Sequence, residues 1–214
     1  MPPDYLELAL DDGRRVQDFT LTHRSAGDLL LPSGRLVACD PFVFPEMEPF
    51  SIWLPLGSFP VILSIAEFSD DQRVAFATVR FRKSKPVAWD MLTVGDQSLL
   101  TLKPDEIFGY PVDAGTGCFM DHSAGKLLTE IMSRDREFYE TLIAEMDKTY
   151  RHTWSSLNMK FGDANLVAFS SGCGDGIYAS YAGFDEDGEV TVVITDFDMV
   201  PSRTNQNQPD APAI

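Results

Sequence analysis

The stretch "FPVILSIAEFSDDQRVAFATVRF", Phe59 to Phe81, decides the fold class. Two apolar runs rich in Val, Ile and Phe flank the polar Ser69–Gln72. Runs of this length and composition, broken by a turn of Ser and Asp, predict a β-hairpin. The first run, Phe59–Phe68, is too short to span a bilayer as a helix. Working outward, similar runs recur at Pro86–Val94, Ile107–Ala114, Gly117–Met120, Ala164–Ser170, Gly176–Phe184 and Glu189–Phe197. "LPSGRLVACDPF" (Leu31–Phe42) reads as a turn, a short strand and an exit ended by proline. The last two long runs are joined by "DEDG", in which Asp187-Gly188 fits a type I′ turn with positive φ at both central residues.

One segment breaks the strand pattern. From Ala124 to Tyr150 the residues Leu127, Leu128, Ile131, Met132, Phe138, Tyr139, Leu142, Ile143, Met146 and Tyr150 follow the spacing of an amphipathic helix. Asp121 or Ser123 can cap its start. The expectation is an α+β domain: mainly antiparallel sheet with one long helix, about 123–150, packed on it. A single globular domain is expected over residues 1–200, followed by a flexible C-terminal tail at 201–214, which is polar and rich in proline.

Charge bounds the function. The formal net charge is −16 in 214 residues. Nucleic-acid binding needs a basic surface, so nucleic acid is not an expected partner; nor is an anionic membrane. The opening fifteen residues carry no signal-peptide pattern, and a cytoplasmic location is expected. From Phe161 onward there are nine acidic residues and one basic, net −8, half of the total. Arg73 to Lys85 is the exception, with Arg73, Arg80, Arg82, Lys83 and Lys85 and no acid between them. Cys39, Cys118 and Cys173 have no CxxC spacing and are expected as buried free thiols.

Three constellations invite chemistry. "VDAGTGCFMDH" joins two strands to the helix start. Its Asp113, Cys118, Asp121 and His122, with Asp175 of the glycine-rich "SSGCGDGIY", are the catalytic candidates if the protein is an enzyme. Cys118 with His122 would be a nucleophile and base; Asp113, Asp121 and Asp175 would be the ligands of a divalent metal. The competing reading is architectural: Gly115 and Gly117 make a tight turn, Cys118 packs inward and Asp121 caps the helix. No cofactor is called for, and the histidines lack metal-ligand spacing. The third constellation is acidic. Asp185, Glu186, Asp187 and Glu189 decorate the last hairpin, and Asp196 and Asp198 are expected on one strand face at its end. Together they form the candidate binding surface for a basic partner.

The segments "GRLVACDPF", "FPVILSIAEF", "DQRVAFATVRF", "GYPVDAGTGCFMD", "SGCGDGIYASYAGFDEDGEV" and "VITDF" resemble, in this order, the bacterial domain-of-unknown-function family 4241. The resemblance covers about residues 30–198 and brings no catalytic residues with it. In size, charge and occurrence the chain is similar to immunity proteins that neutralise secreted toxins. Residues and resemblance together give a leading expectation: a non-enzymatic acidic protein that binds a basic toxin. The alternatives are a small hydrolase, assisted by a metal, working between the two glycine segments, and a housekeeping domain.

Overall fold

The computed structural model describes residues 2–135 and 137–201. Its strands are β1 (Arg14–Val16), β2 (Phe19–Leu31), β3 (Leu36–Cys39), β4 (Gly57–Glu67), β5 (Gln72–Arg80), β6 (Ala88–Met91), β7 (Tyr110–Val112) and β8 (Thr116–Asp121). Helices α1 (His122–Arg134) and α2 (Glu137–Asp147) follow, then β9 (Ser156–Phe161), β10 (Ala164–Ser170), β11 (Gly176–Tyr178), β12 (Ser180–Phe184) and β13 (Val190–Asp196). The expected tail at 201–214 lies, apart from Pro201, outside the described residues. No helix among the described residues is long and apolar enough to cross a membrane.

The fold is α+β, and the strand pairs are antiparallel. Seven strands form one sheet in the order β1-β2-β4-β5-β13-β12-β6; β3-β8-β10-β9 form a second; β11 and β7 pair separately. The hairpin that opened the reading is β4–β5, closed by the Phe68 N–H donating to the Asp71 carbonyl at 2.8 Å. Leu63, Ile65, Val74, Ala77 and Val79 of this hairpin are fully buried against Leu36, Phe119, Val167 and Phe169 of the second sheet. Burying such side chains contributes about 1.5–3 kcal/mol each. The other face of the second sheet, with Val37, Cys118, Met120, Leu166 and Ala168, is covered by the helices through Ala124, Leu128, Leu142 and Met146.

The helical region departs from the expected single rod. It breaks at Asp135, whose backbone is extended at φ −130°, ψ 99°. Asp135 ends α1, and its Oδ1 accepts the Glu137 N–H at 2.9 Å, capping α2. The apolar stripe continues across the break because both helices present it to the same sheet. The last hairpin also differs. Gly188 has φ +77°, but Asp187 is not among the positive-φ residues. Asp185 closes an i,i+3 turn by accepting the Gly188 N–H at 3.0 Å. The Asp185 N–H in turn donates to the Glu189 carbonyl at 3.0 Å, so the connection is an ordinary turn followed by a glycine bulge at Gly188. A separate register shift between Gly183 and Phe184 leaves Thr191 as an extra residue of β13.

Candidate functional site

The two glycine segments do meet. The β7–β8 turn at Asp113–Gly115 lies against the Ser171–Gly176 loop. Gly115 N–H donates to Asp175 Oδ1 at 3.0 Å, and Ser171 N–H donates to the Gly115 carbonyl at 3.1 Å. The Tyr178 and Ser171 hydroxyls both donate to the Gly174 carbonyl at 2.8 Å. Gly172 has φ +49°, and a Cβ there would stand 2.8 Å from the Phe197 carbonyl oxygen, so the loop needs glycine to press this closely. The segments are thus joined by direct hydrogen bonds.

Three carboxylates of this region, Asp40, Asp121 and Asp175, accept backbone N–H groups. Asp121 is fully buried at the N-cap of α1; it accepts the N–H and hydroxyl groups of both Ser33 and Ser123 at 2.7–2.9 Å. Asp40, in "ACDPF", was not among the sequence candidates and is the residue that shapes the turn. It is fully buried; Oδ2 accepts the N–H groups of Asp113 and Ala114 at 2.9 and 2.7 Å, and Oδ1 accepts that of Phe42 at 2.9 Å. An aspartate just before a proline, at a strand exit, was the available signal for such a turn-builder. Asp113 and Asp175 are exposed. Among the described residues no group of three or more His, Cys, Asp or Glu side chains is placed to hold a metal ion.

Cys118 is fully buried and faces Cys39 across the β3–β8 pair, with sulfurs 3.4 Å apart. Burial, and then the neighbouring Cys118, push the Cys39 thiol well up. A nucleophilic thiol needs exposure and a base beside it; His122 instead lines a surface cleft with Arg35 and Glu48. Cys173 departs from the expectation of buried thiols: it is exposed, 3.6 Å from the Met199 sulfur.

The acidic candidates separate into different environments. Asp185 is an organiser of its own turn: Oδ1 accepts the Asp187 and Glu189 N–H groups, Oδ2 accepts the Ser84 hydroxyl at 2.8 Å, and its carboxyl is held below the usual range, chiefly by that hydroxyl. Glu189 pairs with Arg82 at 2.8 Å. The basic 80–85 segment therefore runs beside the acidic hairpin, leaving Glu186 and Asp187 as its exposed acids without a described partner. Asp196 is the main correction. It is only 6% exposed, and Tyr5 of the N-terminal segment donates its hydroxyl to Oδ2 at 2.8 Å. Burial pushes the Asp196 carboxyl up to about 6. Asp198 follows the strand with φ +55°; it is exposed, and its N–H donates to Asp196 Oδ1. The two aspartates do not share an exposed face.

A profile of a known family matches residues 29–195, most of the chain. The chain belongs to the family of proteins of unknown function DUF4241. No curated protein and no solved structure matches it. For this DUF4241 member the matched span takes in Asp40, both glycine segments and the hairpin pairings that join them, so the quoted resemblance falls on the residues that build the turn.

Proposed function

We propose that the chain is a non-enzymatic binding protein whose partner is a basic protein, acting as an immunity protein that covers a cognate toxin in the cytoplasm. The observation that carries this reading is the net charge of −16. Excess charge of one sign steers an oppositely charged partner and raises its association rate. The occupation of Asp40, Asp121 and Asp175 by backbone donors supports the non-enzymatic side: these carboxylates hold the turn and helix start together. The docking face is better sought away from the last hairpin, where Arg82 and Ser84 already engage Glu189 and Asp185. A cleft of about 350 Å³ has Asp18 and Asp70 on its walls with Phe68 and Met199 beside them, while its Asp71 is already paired with Arg73 at 2.7 Å; Asp18, Asp70 and the Phe68 ring are what it offers to an arginine.

The test is capture of partners from source lysate on the immobilised protein, with wash steps of rising salt. A basic protein retained at low salt and released by salt is the expected result. Asp18→Lys with Asp70→Lys should abolish its retention, and Glu186→Lys with Asp187→Lys should weaken it less. Retention of no basic protein, or retention unchanged in both charge-reversed variants, overturns the reading.

A further inference from the structure

A second cleft lies on a different part of the surface, between the 48–53 segment and the start of α1. It has a volume of about 480 Å³ and is lined by Arg35, Glu48, Pro49, Ser51, Gly95 and His122. Backbone pairing sets two of these side by side: the His122 N–H donates to the Arg35 carbonyl at 2.8 Å, continuing the β3–β8 ladder one step beyond Leu36 and Asp121. Arg35 is held from above by Trp53, whose ring centroid is 4.8 Å from the guanidinium carbon. Stacking of this kind fixes the plane of the guanidinium while leaving its N–H fork available. Yet the fork is unused. Arg35 Nε is buried with no hydrogen-bond partner, and Arg35 joins none of the ion pairs among the described residues.

Glu48 is the other unpaired charge of the cleft; it too joins none of those ion pairs. Its Oε2 lies 2.7 Å from where a Cβ on Gly95 would stand, and Gly95 has φ +51°. With no side chain at Gly95, the Glu48 carboxylate can lie close over the backbone there. One cleft thus holds a pre-oriented guanidinium and a carboxylate, more than 4 Å apart, that do not neutralise each other. Opposite charges kept apart in a cleft match a ligand bearing both complementary charges. Trp53 at 70% and Leu56 at 68% are among the most exposed large apolar side chains, and both belong to the loop at the rim. The cleft's own lining is mostly polar, so charge complementarity is what would hold a ligand here, with the apolar rim beside it.

We propose that this cleft binds a free α-amino acid, or a small zwitterion of that class. Arg35 takes the carboxylate in a bidentate bond, Glu48 takes the ammonium, and the side chain lies against Trp53. His122 and Ser51 supply further hydrogen bonds to the carboxylate end. This site is independent of the basic-partner reading above.

The test is calorimetric titration of the purified full chain with individual free L-amino acids. The matched acids lacking the amine and the matched amines lacking the carboxylate are titrated alongside. At least one amino acid should bind saturably, with its single-charge analogues about tenfold weaker or worse, the scale of one lost charged contact. Glu48→Gln, at an exposed position, and Arg35→Lys, which keeps charge but loses the planar fork, should each weaken that binding by about tenfold. Saturable binding of no amino acid overturns the proposal. So does equal affinity for the acid lacking the amine, or affinity unmoved by both substitutions.

Discussion

At the residue scale, two buried polar groups have measurable consequences. Asp196 is nearly enclosed, with a carboxyl raised to about 6 by burial and opposed only in part by the Tyr5 hydroxyl and the Asp198 N–H. The folded state therefore holds this proton more tightly than the unfolded chain, whose carboxyl is near 3.9. The stabilising effect is fully present below the unfolded value and is lost as pH rises through about 6. The difference corresponds to roughly 2–3 kcal/mol. Asp196→Asn keeps a hydrogen bond with Tyr5 and removes the titration. Urea midpoints of the variant should fall less than those of the parent between pH 4 and 7, and lie above them at neutral pH. A parent-like pH profile would show that Asp196 is not the responsible group. Tyr110 gives a second case. Its hydroxyl is fully buried beside the Thr195 side chain but makes no well-aligned hydrogen bond, and a Cβ on Gly117 would lie 2.8 Å from it. Gly117→Ala should cost about 1–3 kcal/mol, the scale of an overpacked core site. Tyr110→Phe should be close to neutral, since it removes a buried polar atom whose only side-chain partner, Thr195, is poorly aligned. Combined with Gly117→Ala it should restore much of the loss in a double-mutant cycle; additive losses would place the strain elsewhere. Asp196 reads as exposed in sequence because its cover, Tyr5, is 191 positions away, and no local pattern carries that contact. Asp121 was legible as a cap because its partner Ser123 is local.

At the scale of elements, the same contrast holds. The β4–β5 and β12–β13 hairpins are legible because each turn lies between the strands it joins. β2 is thirteen residues long and pairs with β4, yet its alternation is broken by the irregularity between Ser25 and Gly27 and by polar His23, Arg24 and Asp28. β9 carries Asn158 and Lys160 on a partly exposed edge. β2 is specified by β4, distant in sequence. β9 forms a tight hairpin with β10, but its polar Asn158 is explained by the distant β2, whose Asp28 carbonyl accepts from it. Asn165 likewise accepts the Leu30 N–H and donates to the Asp28 carbonyl. The helix break is hidden for a different reason: periodicity records the face that is buried, and both helices bury the same face. Asp135 is the local signal for the interruption. Asp135→Ala removes the cap on α2 and should cost about 1 kcal/mol. Hydrogen exchange at the Glu137 amide should quicken while the amide of Leu128 in α1 keeps its protection. Unchanged exchange at Glu137 would mean that packing alone, through contacts such as Phe42 on Tyr139 at 5.2 Å, holds the helix start.

For the whole molecule, charge is the dominant long-range term. The net charge is −16, whereas the ion pairs among the described residues are few and side chains on both sides of each are substantially exposed. Exposed pairs contribute about 0–1 kcal/mol each. Self-repulsion among the excess carboxylates acts over the whole surface and opposes the compact state. Salt weakens both effects, but the repulsion is spread over longer distances and is screened more completely once the Debye length falls to about 8 Å at physiological ionic strength. The net effect of salt should therefore be stabilising. The urea midpoint at pH 7.5 should rise as sodium chloride is raised from low to physiological concentration; urea is required because guanidinium chloride is itself a salt. A midpoint that falls with salt would mean that the ion pairs outweigh the repulsion, with the excess charge too dispersed to oppose folding. The same titration bears on steering: a surface whose potential is strong enough to raise the association rate of a basic partner is also strong enough to register in its own stability.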